Sequence, residues 1–200
     1  MKLIPEIVAA HKELTQWRRD IHAHPELAFE ESRTAEFVAK QLESYGITVT
    51  RGVGKTGVVG TLKAGTSNRC IGLRADMDAL PMEEHNTFSY KSQNPGCMHG
   101  CGHDGHTVML LAAARYLAHS KNFDGTVQFI FQPAEEANEH GSGAKAMIDD
   151  GLFERFPVDT VFAMHNAPDL ALGAVATSSG AITASIDIFD EIGRASCRER

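Results

Sequence analysis

The stretch Cys97-Met98-His99-Gly100-Cys101-Gly102-His103-Asp104-Gly105-His106 constrains this chain more than any other. Within it lie two thiols, three imidazoles and a carboxylate, spaced by glycines that let the backbone bend close to whatever those groups hold. An apolar run from Val108 to Leu117 follows at once with helical spacing, so the cluster is expected on a loop entering a helix. A helix N-terminus carries partial positive charge, which favours a thiolate. Thiolate with imidazole is the usual ligand set for zinc-like ions. Taken alone, a Cys two residues from a His fits a polar loop with an incidental thiol equally well, and the rest of the chain has to decide.

The flanking pattern predicts alternating helices and strands. Ile7, Val8, His11, Leu14, Trp17, Arg18 and Ile21 recur at helical spacing over residues 5–22, with Pro5 in the first turn. His22-Ala23-His24-Pro25-Glu26 breaks that helix, and a second runs from Ser32 to Tyr45 with Gly46 as its cap. Residues 47–50 and 58–63 read as strands around a glycine turn. That turn, Gly52-Val53-Gly54-Lys55-Thr56-Gly57, fits the dinucleotide pattern G-x-G-x-x-G. The pattern needs a helix directly after it, whereas Val58-Val59-Gly60-Thr61-Leu62 is strand-like, so the turn is read as a hairpin connection. Further strands are expected at 70–75, 126–132, 158–164, 173–177 and 182–189, and further helices at 104–119 and 142–150. Such alternation implies an α/β sandwich.

A chain of 200 residues is one domain, or one and a fraction. Its 42% hydrophobic and 22% charged content is that of a soluble globular protein. A net charge of −7 with no Lys/Arg-rich patch argues against a nucleic-acid partner, and the apolar runs are too short for a membrane span. The start, Met1 to Glu6, lacks the apolar core of a signal peptide, and Cys70, Cys97, Cys101 and Cys197 form no dense framework. Reduced thiols in the cytoplasm are therefore expected.

Three predicted strands run out into polar residues of catalytic type. One ends at Asp76 and Asp78, one at Glu135 and Glu136 past Pro133, and one at His165. In open α/β sheets, sites form beyond the carboxyl ends of strands. If these strands are parallel neighbours, the Cys101–His103 loop can join them. Asp76 and Asp78 also suit a turn, His165 also suits a satisfied core, and Glu135-Glu136 with Glu139 nearby also suits an acidic surface loop. His22 and His24 are read as pinning the first helix, and His11, His85, His119 and His140 as facing solvent or packing. Adjacent residues of an extended chain point to opposite sides, so one of Glu135 and Glu136 could bind a metal while the other faces its water.

Five motifs in order now carry a resemblance. They are Arg18-Arg19-Asp20-Ile21-His22-Ala23-His24-Pro25-Glu26-Leu27, Arg74-Ala75-Asp76-Met77-Asp78-Ala79-Leu80-Pro81, Met98 to His106, Phe131-Gln132-Pro133-Ala134-Glu135-Glu136 and Met164-His165-Asn166. The chain resembles, from near residue 5 to about residue 189, the metal-dependent amidohydrolases: hippurate hydrolases, N-acyl-amino-acid amidohydrolases and auxin-conjugate hydrolases, a branch of the aminoacylase/carboxypeptidase metallopeptidases. The resemblance implies a zinc-peptidase-like three-layer α/β sandwich with a mixed, mostly parallel sheet and an inserted lid or dimerisation domain. It implies Cys101, His103, Glu136 and His165 as metal ligands, Glu135 as general base and Asp76 as the acid that orients a ligand. It further implies two divalent ions (zinc, manganese, cobalt or nickel), a small N-acyl amino acid as substrate, and assembly of the longer form through the lid.

Members of that family are much longer, with a last His ligand near their C-terminus and another His in the lid. Residues 1–180 are therefore expected to be the first part of the catalytic domain, 181–190 the first strand of the lid, and 191–200 an atypical tail, foreign or frame-shifted. Amide hydrolysis with Glu135 activating water is one expectation, and a truncated metal-binding fragment without catalysis is the other. A serine- or cysteine-nucleophile hydrolase is disfavoured, because the chain has no G-x-S-x-G elbow and Cys101 is better explained as a ligand.

Overall fold

The computed structural model describes residues 3–137 and 142–180. Helix α1 spans Pro5–Ala23 and α2 spans Ser32–Ser44. Strands β1 (Thr48–Val53) and β2 (Gly57–Ala64) form the expected hairpin, pairing Thr48 with Thr61 and Val53 with Gly57. Then come β3 (Cys70–Asp76), α3 (His103–Ser120), β4 (Gly125–Gln132), α4 (Gly143–Asp149), a short α5 (Leu152–Arg155) that the sequence pattern did not announce, and β5 (Thr160–Ala163). Gly46 closes α2 as expected: at φ 74° its N–H donates to Glu43 O at 2.9 Å. Entry into α2 is held by Glu26, whose carboxylate accepts the N–H groups of Arg33 and Thr34, each at 2.8 Å.

The sheet order is β1-β2-β4-β3-β5. β2 is antiparallel to both β1 and β4, while β3 is parallel to both β4 and β5, so β2 alone runs against the other four strands. This is the mixed, mostly parallel sheet expected. Alternation along the strands loads both faces. On one face Val58, Phe129, Phe131 and Ala75 pack with Val38 and Leu42 of α2 and Leu110, Leu111 and Ala114 of α3. On the other, Val59 and Ile130 pack with Val53, Met147 of α4 and Leu152 of α5. Three layers result, and each fully buried Leu, Met or Phe among them contributes about 1.5–3 kcal/mol.

The crossovers position the site. The chain passes from β3 through α3 to β4 over one face of the sheet, then returns through α4 and α5 over the other face to β5, on the far side of β3. The direction of travel thus reverses at β3, and a crevice opens at the carboxyl ends of β4, β3 and β5. Asp76 and Gln132, the last residues of β3 and β4, are register partners.

The chain divides into two compact units, Met1–Asn166 and Ala167–Arg200. In the described part of the second, residues 167–180, there is no helix or strand. The strand expected at 173–177 is therefore absent: it has no ladder partner among the described residues, and Val175 is exposed. The expected lid strand at 181–190 and tail at 191–200 lie outside the described residues, as does His140. Among the described residues, no helix is long and apolar enough to cross a membrane.

Candidate metal centre

The predicted site residues converge where the crevice opens. His103 is the hub: it begins α3, is fully buried, and shares three clusters of ligand-type atoms, with Cys101 and His165, with Glu135 and Glu136, and with Asp76 and His106. Its Nδ1 faces two oxygens of Asp78, the backbone carbonyl at 2.8 Å and Oδ1 at 3.2 Å. Nδ1 must therefore carry the proton, which leaves the lone pair on Nε2. That buried Nε2 has no hydrogen-bond partner. Around it stand Glu136 Oε1 at 3.8 Å, Asp76 Oδ2 at 3.8 Å and Glu135 Oε2 at 3.9 Å. Cys101 Sγ lies 3.3 Å from His165 Nε2.

The two glutamates do not behave as extended-chain neighbours. Both reach the same nitrogen of His103, because Ala134 takes φ 47° and residues 135–136 form a bend rather than strand. The opposite-sides expectation therefore fails on backbone geometry. Glu136 is further fixed by its own N–H, which donates to Asp78 Oδ2 at 2.8 Å. His165 is exposed, which removes its reading as a core histidine.

The electrostatics correct a second expectation. Burial first, then the hydrogen bond and charge of Glu136 and the charges of Glu135 and Asp76, push the Cys101 thiol up to about 12. Among protein groups alone the helix N-terminus does not make a thiolate here; a bound cation would be needed. Burial and the Glu136 charge also raise Glu135 above the ordinary carboxylate value. An orphaned imidazole nitrogen, a thiol and three carboxylates facing one space fit a divalent cation held by N, S and O donors.

Asp76 is buried near this space, but its hydrogen bonds go elsewhere. Oδ1 accepts from His106 Nδ1 at 2.6 Å and Oδ2 pairs with Arg74 Nη1 at 2.7 Å. Burial alone would raise it; His106, Arg74 and His103 outweigh that and hold it at about 2. The carboxylate that orients His103 is Asp78, two residues on. His106 in turn accepts the Asn166 N–H on Nε2 at 3.0 Å, and its ring lies 4.6 Å from that of His165. The run Arg74–Asp76–His106–Asn166 thus braces the His165 segment. Gly102 makes room for it: at φ 92°, a Cβ there would come within 2.5 Å of Asn166 Oδ1.

The opening cluster is divided by the fold. His99 and Cys97 are buried outside these groups, and burial takes His99 down to about 4. Asp104 turns toward α1, where its Oδ2 accepts from Arg18 Nε at 2.8 Å and His22 Nδ1 at 2.7 Å. His22 also reaches Glu84 Oε1 at 3.2 Å, so it pins α1 to α3 as expected. His106 and Asn166 have no functional role in the sequence reading, and Asp78 figures there only as a strand-end residue beside Asp76; each lies inside a motif already singled out, three residues or fewer from a named ligand or from Asp76.

With this geometry in hand, the chain can be set beside known proteins. The model of Peptidase family M20/M25/M40 matches residues 72–197. The hippurate hydrolase of Campylobacter jejuni is 51% identical over 196 residues, covering 97% of this chain and 50% of that protein. The N-acyl-L-amino acid amidohydrolase of Geobacillus stearothermophilus is 42% identical over 174 residues, 86% of this chain and 46% of that one. The chain thus spans about half the length of the curated relatives it matches. Among solved structures, the Bacillus subtilis YXEP protein, described as a dinuclear metal binding peptidase from the M20 family, superposes with a TM-score of 0.79 at 38% identity, over 86% of this chain and 48% of that one.

Proposed function

Because the chain belongs to peptidase family M20/M25/M40, we propose that it is the metal-holding part of a hydrolase that cleaves the amide bond of N-acyl amino acids. The observation that carries this is the buried, partnerless Nε2 of His103 facing Glu135, Glu136 and Asp76 beside the Cys101–His165 pair. Cys101, His103, Glu136 and His165 would hold two divalent ions, drawn from zinc, manganese, cobalt or nickel. When bound, such ions polarise the amide carbonyl and acidify water. Glu135 takes the proton of the attacking water and delivers it to the departing amine; it is the more exposed of the two glutamates, with its side chain 42% accessible against 23% for Glu136. Asp78 keeps His103 in the tautomer that presents Nε2, and Asp76 with His106 keeps the His165 segment in place.

The proposal places the protein in the cytoplasm, in keeping with free thiols at Cys70, Cys97 and Cys101. It has a small N-acyl amino acid as partner, and assembly of the longer form through the inserted domain. A second reading is metal binding without turnover; the chain spans about half the length of the relatives it matches. Elemental analysis of purified protein tests what both share: Cys101→Ala with His103→Ala should strip the metal, and unchanged content would end the proposal. Hydrolysis of N-benzoyl and N-acetyl amino acids with added zinc or manganese separates the two. Where turnover is seen, Glu135→Gln should retain metal and lose on the order of 10²-fold or more in rate.

A further inference from the structure

Glu31 is a fully buried carboxylate outside the site. It occupies the N-cap position of α2, yet its side chain makes no capping bond; Glu26 caps that helix instead. Glu31 is turned inward. Oε1 accepts two backbone N–H groups, from Phe29 at 3.0 Å and from Ala134 at 2.7 Å, and Oε2 accepts the Thr56 hydroxyl at 2.5 Å. Two of its three donors belong to residues in the left-handed region, Phe29 at φ 63° and Ala134 at φ 47°. Neither is glycine, and a non-glycine residue there is sterically strained, so its surroundings must hold it in place. Ala134 is also gripped from the other side, where its carbonyl accepts the Gly143 N–H at 2.8 Å. It is the residue from which the chain turns into Glu135 and Glu136.

We infer that Glu31 is a positioning residue for the Glu135–Glu136 pair: without touching the site, it holds Ala134 in the left-handed turn that aims both carboxylates at His103. This rests on the reading of those carboxylates as a metal ligand and a proton acceptor. Reach, not charge, is what the role requires. Glu31→Gln keeps an oxygen where Oε1 stands, and the Thr56 hydroxyl can rotate to accept from the new amide. Glu31→Asp keeps the charge but is one methylene too short to hold the Ala134 N–H.

The test is cobalt(II) affinity of the metal-free 200-residue chain by calorimetric titration, with far-UV circular dichroism to establish folding. Glu31→Asp should weaken binding roughly 10- to 100-fold, as loss of an outer partner does in metal sites. Glu31→Gln should stay within about threefold of the parent. Thr56→Val, which removes the third donor and leaves Ala134 held, should lower the melting temperature without moving cobalt affinity. Parent-like affinity in Glu31→Asp, or a loss in Glu31→Gln as large as in Glu31→Asp, overturns the role. Where Glu31→Asp does not fold, Glu31→Gln decides alone: retained affinity supports the role and lost affinity overturns it. Cys101→Ala/His103→Ala is measured alongside. If that variant still binds like the parent, the metal reading itself falls, whereas its loss of binding beside a parent-like Glu31→Asp sinks only the role of Glu31.

Discussion

Asp78→Ala is the substitution whose cost can be worked out most directly. Asp78 is 1% exposed, and its carboxylate serves two donors: the Glu136 N–H at 2.8 Å and His103 Nδ1 at 3.2 Å. The shorter bond on Nδ1 goes to the Asp78 backbone carbonyl at 2.8 Å, which survives truncation to alanine. The His103 tautomer is therefore kept, and the loss falls on Glu136, whose backbone N–H is left without its partner. An unsatisfied group of this kind costs about 1–3 kcal/mol. If that cost is carried by the geometry that holds the ion, affinity drops roughly 5- to 150-fold. Asp78→Asn, whose amide oxygen can still face the Glu136 N–H, should sit at the low end of that range. Calorimetric titration of zinc(II) into metal-free protein reads the effect, with circular dichroism to show that the fold is intact. Folded Asp78→Ala binding zinc within about twofold of the parent would refute the reasoning, since Glu136 would then be placed without Asp78.

Gly102→Ala should cost about 1–2 kcal/mol from its positive φ alone and should also displace Asn166, so both melting temperature and zinc affinity are expected to fall; a change in neither would show that the loop re-forms around a Cβ. Phe129→Ala, fully buried in the larger core, should lose about 3–5 kcal/mol in urea unfolding, and a loss below about 1 kcal/mol would mean the core is not packed as described. The His22 cluster sets a pH dependence in metal-free protein. Burial lowers the His22 pKa, but Asp104 and Glu84 outweigh it and raise it above its ordinary 6.5, so its contribution is complete below that pH and fades as pH rises through the folded value. Glu84 and Asp104 are lowered from 4.5 and 3.8, burial being outweighed by the Ser92 N–H for Glu84 and by the His22 bond for Asp104, so theirs fades as pH falls below those values. The melting difference between parent and His22→Gln should accordingly be largest between 4.5 and 6.5 and shrink toward alkaline pH; a difference that grows with pH would reverse the assignment.

Much of this was legible because it depends on local periodicity and on strand ends. The helices at 5–23 and 32–44, the hairpin turn that mimics a nucleotide motif, and the meeting of Cys101, His103, Glu136 and His165 all follow from patterns that side-chain chemistry writes directly into sequence. What escaped depends on single backbone angles and on partners far apart in the chain. Nothing in Pro133-Ala134-Glu135-Glu136 announces φ 47° at Ala134, so the alternation rule fails where the chain is bent. Asp76 and Asp78 are indistinguishable by type and spacing, and only the fold shows that Asp78 meets His103. Glu31 looks like a helix cap because it stands where caps stand, and its donors lie at 29, 56 and 134. The strand expected at 173–177 has strand-forming residues but no neighbour to pair with among the described residues.

β5 is four residues long and, among the described residues, forms a ladder only with β3. Every one of its residues is exposed, Phe162 to 56%. The ligand-type side chain just beyond this strand, His165, therefore hangs on a short, exposed edge element that is open to local unfolding. An ion that recruits His165 must first wait for β5 to be docked, so the measured dissociation constant contains the docked fraction as a divisor. Amide exchange along residues 160–163 should slow on metal addition far more than exchange in β4, which is paired on both sides, and its rate in metal-free protein against that of an unprotected amide would give the population of the open strand without any assay of the reaction.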